Sequence, residues 1–352
     1  MSAIALSPTR TFSQPVPPPR TRKARRRVAV VLNSNALKVD ERVVQALASV
    51  TPAEDLYLSH SLDQAREIAR DVVARGYDTV LFGGGDGTLV RGVEHLADAA
   101  REQAAVLPAV GVLRLGTGNA FADAMGAGPF TWDGLVADVL RARQSNAPRE
   151  MPMLETLGRV TPFCGFGLDA QVLEDHHEVC EAIDRSPLRK WVQSSNLRYA
   201  ASVVTRSIPR FLTSKRAQVR VINLGAPAIL IGEGDVARGV PVRAGETIWE
   251  GDCSLASCST IPFFGLGLKM FPFAEMRRDR FQLRVGSAGA MEILSHLPAV
   301  FTGEYRSRTI RDYLCDHVAI EMSRESPFEI GGELVGRFER VEVKLGETFL
   351  IA

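Results

Sequence analysis

The chain has 352 residues, with 42 Lys and Arg against 41 Asp and Glu, a formal net charge of +1 and an apolar fraction of 45%. Those values exclude a collagen, a mainly disordered chain and a nucleic-acid binder held by bulk charge. The average hides a split, because residues 1–27 carry seven basic side chains and no acid, and taking those seven from the net +1 leaves −6 on the remaining 325.

Residues 1–27 hold Arg10, Arg20, Arg22, Lys23, Arg25, Arg26 and Arg27 with five prolines, and read as a disordered basic tail. Order begins at Val28–Leu32, an apolar run of the kind found in a strand covered on both faces. After the loop 33–36, Asp40 caps a helix with Val43, Val44 and Leu47 at helical spacing. A second strand at Leu56–Leu58 leads to a Ser61-capped helix with Ala65, Ile68, Ala69 and Val72 on one face. A third, Thr79–Phe82, runs into Gly83-Gly84-Gly85-Asp86-Gly87-Thr88 and then a helix carrying Leu89, Val93, Leu96 and Ala100. Ala109–Leu113 is a fourth strand, and Leu115-Gly116-Thr117-Gly118-Asn119-Ala120-Phe121 follows it. Alternation at this spacing predicts an α/β nucleotide-binding domain with a mainly parallel sheet over 28–150.

From 151 to 352 the texture changes to short segments rich in β-branched and aromatic residues, at 217–223, 228–232, 247–258, 280–285, 317–323 and 339–350. They predict a second, mostly antiparallel domain, interrupted by a helical stretch from Ser186 to Leu212. Within it, Leu197, Ala200, Ala201 and Val204 share a face that serves either core packing or a lipid-facing gate. The five cysteines are scattered without zinc spacing, as expected of reduced thiols. No run reaches the ~18–20 apolar residues of a spanning helix, and the N-terminus is apolar first and basic later, the reverse of a secretory signal. A cytoplasmic protein is expected.

The two glycine-rich loops carry the chemistry. Glycines let a backbone turn with positive φ and approach a bulky anion, and the N–H groups and positive end of the following helix favour phosphate oxygens. A carboxylate inside a phosphate loop, Asp86, implies an intervening Mg²⁺, and Thr88 offers a hydroxyl. The pattern lacks the Lys-Ser/Thr of a Walker loop and the spacing of a dinucleotide fold. Successive parallel strand ends lie side by side, so both loops are expected to face one crevice.

Strand-GGGDGT-helix followed by strand-LGTGNAFA resembles the catalytic domain shared by diacylglycerol, sphingosine and ceramide kinases in its compact bacterial form, and the GGDGT core is similar to that of NAD kinases. Looser matches are Asn33-Ser34-Asn35-Ala36, the segment 165–170 and the segment 264–274. The resemblance implies an α/β nucleotide domain and a β-sandwich domain whose C-terminal strands return to the first. It implies Mg²⁺ and ATP bound by Asn33, Ser61 (or Ser59), Gly84, Gly85, Asp86, Gly87, Thr88, Arg91, Gly116, Thr117, Gly118 and Asn119, with a membrane lipid as acceptor. Asp279 falls where the family holds a structural Mg²⁺; read from its neighbours Arg277, Arg278 and Arg280, it is equally a solvated charge.

Two departures stand out. The family's Asp-Gly-Glu, whose Asp is the expected general base, is here Gly331-Gly332-Glu333, leaving Glu333 or Glu329 for the role. Arg91 stands where bacterial members carry Glu, altering metal handling or gripping a phosphate directly. The expected function is an ATP- and Mg²⁺-dependent lipid kinase with diacylglycerol first and ceramide or a sphingoid base next. Its alternatives are a degenerate lipid- or nucleotide-binding regulator and an NAD-kinase-like enzyme. Adjacent His176 and His177 point about 100° apart on a helix and read as a solvated face. The basic tail suits peripheral contact with an anionic membrane; no nucleic-acid partner is expected, and the sequence carries no signal for oligomeric state.

Overall fold

The computed structural model describes residues 26–36, 38–116, 119–144, 148–186, 202, 205, 206, 209, 216–232, 234, 237–264, 267–289, 292 and 295–352. Most of the expected stretch 186–212, including Leu197, Ala200, Ala201 and Val204, lies outside the described residues, as do residues 1–25.

The first half alternates strands and helices: β1 Val28–Asn33, α1 Glu41–Ala48, β2 Leu56–Ser59, α2 Leu62–Ala74, β3 Thr79–Gly84, α3 Asp86–Gln103, β4 Ala109–Arg114, α4 Ala120–Met125 and α5 Trp132–Gln144. The strands pair in parallel in the order β4-β3-β1-β2. Both faces are covered, which explains the unbroken apolar runs. Val28, Val30 and Leu32 pack with Val43 and Leu47 of α1 and Leu135 and Val139 of α5. Ala29, Val31, Val80 and Phe82 pack with Ile68 and Val72 of α2 and Leu89 and Val93 of α3. The caps sit where the side chains predict: Asp40 Oδ1 accepts the Val43 N–H at 2.9 Å and Ser61 Oγ the Gln64 N–H at 3.2 Å. Arg27, counted with the tail by composition, is docked: its N–H donates to Asp78 Oδ2 at 2.8 Å and its guanidinium lies over Tyr77.

The second half comprises β5 Arg149–Thr156, β6 Arg159–Thr161, β7 Phe163–Gly167, α6 Leu168–Asp184, β8 Ala217–Asn223, β9 Ala228–Ile231, β10 Ala237–Val242, β11 Thr247–Cys253, β12 Leu255–Ser259, β13 Phe281–Gly286, α7 Leu297–Thr302, β14 Ile310–Cys315, β15 His317–Ile330 and β16 Glu333–Ile351. These strands pair antiparallel with one another. Ser254 splits the expected 247–258 segment in two. The expected 317–323 and 339–350 segments are parts of the longer β15 and β16, whose alternation is interrupted by register shifts at 321–326 and 328–329.

The sheet bends back on itself along β15, which pairs with β8 near Val318–Met322 and with β7 near Phe328–Ile330. Side chains from β8 and β11 meet those of β13 and β14 in one core, and Tyr313 Oη donates across it to the Ile248 carbonyl at 3.1 Å. β16 then links the two halves: Ile351 pairs in parallel with Val110 of β4, while its other end, Glu333, begins at the β15–β16 turn. No helix among the described residues is long and apolar enough to cross a membrane.

Candidate functional site

β3 stops at Gly84 and α3 starts at Asp86, with Gly85 as N-cap at φ −85°. None of Gly83, Gly84, Gly85 or Gly87 has a positive φ, so the turning role expected of these glycines gives way to close approach. A Cβ on Gly83 would strike the Leu32 side chain, one on Gly84 would meet Thr88 Oγ1 at 2.5 Å, and one on Gly87 would strike the Glu333 carboxylate. The second loop does converge on the first: a Cβ on Gly116 would lie 2.6 Å from Gly85 Cα and 2.9 Å from the Gly84 carbonyl oxygen. Thr117 and Gly118 lie outside the described residues.

Hydrogen bonds tie this junction together. Asn33 Nδ2 donates to Thr88 Oγ1 at 3.1 Å. Asn119 sits at φ +56°, a conformation its short side chain tolerates, and its Oδ1 accepts the Gly116 N–H at 3.1 Å. The Asp86 carboxylate oxygens accept the Ala120 and Phe121 N–H groups of α4 at 3.1 and 3.2 Å, so the carboxylate caps one loop's helix from the other loop. Burial pushes its carboxyl above the ordinary range, while the Phe121 and Ala120 N–H groups pull it down.

A cleft of about 210 Å³ opens beside the first loop. Its floor is apolar, with Ile68, Val72, Phe82 and Leu96; Asn33, Ser61, Thr88, Arg91 and Glu333 line its polar part. Ser59 lines it too, though its hydroxyl donates to the Leu32 carbonyl at 3.3 Å. Lys38 and Arg159 were missed by the sequence reading. Lys38 Nζ donates to the Gly116 carbonyl at 2.7 Å and lies 5.1 Å from the Phe130 ring centre; burial, then the charge of Arg114, lowers its pKa. Arg159 Nη2 stands 3.2 Å from Glu333 Oε2, and Arg91 Nη2 stands 3.6 Å from the same oxygen. Only Lys38's place in the loop after β1, as a cation near two glycine loops, could have signalled either.

Gly331 (φ +59°) and Gly332 (φ +82°) form a two-residue turn, with Ile330 paired to Glu333. Both central residues have the positive φ of a type I′ hairpin, where Gly, Asn and Asp are favoured. Of the two alternative bases, Glu329 is fully buried and its Oε2 accepts the Gly332 N–H at 2.8 Å; Glu333 alone lines the cleft. Asp279 is not brought to the loops' hydrogen-bond network. Its exposed carboxylate takes Arg277 Nε at 2.9 Å and Nη2 at 2.7 Å, and the Arg277 hydrogen bond holds it below the usual range. Among the described residues no three His, Cys, Asp or Glu side chains gather to hold a metal ion. His176 lies on α6 against Cys180 Sγ at 3.6 Å.

Residues 27–149 match the family model of the diacylglycerol kinase catalytic domain, a lipid kinase domain. A crystal structure of a diacylglycerol kinase from Bacillus anthracis strain Sterne superposes with a TM-score of 0.59 at 14% identity, covering 94% of this chain and 98% of that one. A second crystal structure, of a protein assigned as a diacylglycerol kinase from the same strain, gives 0.60 at 16% identity, covering 94% and 99%. At these identities the likeness shows the fold: a mixed sheet, parallel in the N-terminal α/β part and antiparallel beyond it. No curated protein matches the sequence.

Proposed function

We propose that the protein is a lipid kinase that moves the γ-phosphoryl group of Mg-ATP onto a hydroxyl of a membrane lipid, diacylglycerol first and a ceramide or sphingoid base next. The observation that carries this reading is the contact of the two glycine loops at Gly85 and Gly116, beside a cleft lined by Glu333. Free N–H groups at the start of α3 favour phosphate oxygens, Lys38 and Arg91 supply cations, and the apolar floor suits a nucleobase.

In this reading Glu333 takes the proton of the lipid hydroxyl. The hydroxyl oxygen forms the new bond to the γ-phosphorus as the bond to the β–γ bridging oxygen breaks, and ADP leaves. Catalysis of this kind is mostly positioning and charge neutralisation. The metal that offsets the triphosphate charge arrives with ATP as part of the substrate. Phe130, whose ring lies beside Lys38, and Trp132 are exposed aromatics of the kind that settle at a bilayer interface, which supports peripheral contact with the membrane that holds the acceptor.

The test is purified protein with γ-labelled ATP and phosphatidylcholine vesicles carrying diacylglycerol, ceramide or sphingosine, with NAD as a parallel acceptor. Labelled lipid is expected, and Glu333→Gln should cut the rate by ~10²–10⁴-fold. Label on NAD alone, or on nothing, refutes the proposal. The pairing of Glu333 with two arginines favours one second reading, a binding protein that has lost turnover; it predicts ATP and lipid binding without transfer, and transfer gained in Gly331→Asp.

A further inference from the structure

We infer that Arg159 is a positioning residue for Glu333, an inference that rests on Glu333 serving as the base proposed above. Arg159 opens β6 immediately after the turn Leu157-Gly158, with Thr156 paired to Arg159. Both turn residues have positive φ, +49° and +71°. A leucine in that region costs about 1–2 kcal/mol, and the tight turn it permits fixes where Arg159 leaves the hairpin. The Arg159 side chain is only 19% exposed and runs between α3 and the β15–β16 turn.

Each end of the guanidinium has an acid. Nη2 donates to Glu333 Oε2 at 3.2 Å, while Nε faces Glu94 Oε1 at 3.6 Å as an ion pair without a hydrogen bond. Glu94 Oε1 also accepts the Val160 N–H at 3.3 Å, so the brace grips the hairpin backbone as well as the side chain. Glu94 belongs to α3, the helix whose Gly87 the Glu333 carboxylate touches. The line Glu94–Arg159–Glu333 thus registers the tip of β16 against the phosphate end of α3, although the residues lie far apart in sequence.

The two arginines on Glu333 divide the work. Arg91 is 40% exposed, lines the cleft and stands farther off, at 3.6 Å; it is free to turn toward a phosphate. Arg159 is covered and hydrogen-bonded to Glu333, and a planar guanidinium holds a carboxylate's direction as an ammonium does not. Without Arg159 the Glu333 carboxylate would lean on Arg91 alone, losing its own direction.

The test compares Arg159→Gln, Arg159→Lys and Glu94→Gln with the natural protein, using γ-labelled ATP and phosphatidylcholine vesicles carrying diacylglycerol, with melting temperature measured on each. A displacement of about 1 Å costs ~10²-fold, so Arg159→Gln should lose about that factor in kcat with KM for ATP unchanged. Arg159→Lys should recover part of it, and Glu94→Gln, which keeps the cation but loses its brace, should fall between. Wild-type kcat in Arg159→Gln while Glu333→Gln is inert overturns the inference alone, as does a rise in KM with kcat intact. Full turnover by Glu333→Gln, or none by the natural protein, overturns the base assignment and this inference with it.

Discussion

Two glycines on facing loops should respond oppositely to the same added methyl group. At Gly116 an alanine Cβ would lie 2.6 Å from Gly85 Cα and 2.9 Å from the Gly84 carbonyl oxygen. Both obstacles are backbone, so no side-chain rotation relieves them, and the loops must part by about 1 Å to reach the ~3.5–4.0 Å of ordinary contact. Overpacking of that kind costs about 1–3 kcal/mol, which at roughly 2–4 °C per kcal/mol is a melting-temperature loss of several degrees. The shift also moves the Gly116 carbonyl off Lys38 and its N–H off Asn119. At Gly85 the nearest atom to an added Cβ is 4.0 Å away and φ is an ordinary −85°. Gly85→Ala should therefore melt within about 0.5 kcal/mol of the natural protein, while its methyl, open to the N-terminus of α3, weakens ATP binding. Thermal melting and an ATP titration on the two variants read both effects. Equal melting losses, or Gly116→Ala melting at the natural temperature, would refute the contact between the loops.

Gly331→Asp should stay folded at a cost of about 1 kcal/mol, since Asp accepts the left-handed turn, whereas Gly331→Val should cost clearly more; equal losses in chemical denaturation would contradict the turn. For Asp86, folding raises the carboxyl pKa through burial. A raised carboxyl contributes stability that is present below its unfolded value and lost as pH rises through the folded one. Relative to Asp86→Asn, which does not titrate, the natural protein should thus gain melting temperature as pH falls from neutral toward about 4, and a flat or opposite trend would sink the assignment. Removing residues 1–25 deletes Arg10, Arg20, Arg22, Lys23 and Arg25 but keeps Arg27 on Asp78. At ~1 kcal/mol per cation, phosphatidylglycerol vesicles in low salt should retain the full chain much better than the truncated one; equal retention would count against the tail.

What could be seen in the sequence was local. The strand-loop-helix units, the Asp40 and Ser61 caps and the two glycine loops each lie within a few residues, so their spacing carries their structure. The partners of Glu333 and Gly116 do not: Arg159 is separated from Glu333 by 174 positions and Lys38 from Gly116 by 78, and no periodicity links them. Asp86 has a role the sequence does not show, for a related reason. A carboxylate in a glycine loop can meet a cation or the N–H groups of a neighbouring helix, and only the tertiary position of α4 decides between them. Gly331 is the sharpest case. The resemblance read from the sequence sets a glycine against an expected carboxylate there but not the constraint behind it, a φ of +59° at which Gly, Asn and Asp are the residues a hairpin accepts. An Asp-to-Gly exchange there can alter the chemistry of the site while leaving the turn intact, and it is the turn that delivers Glu333 to Gly87.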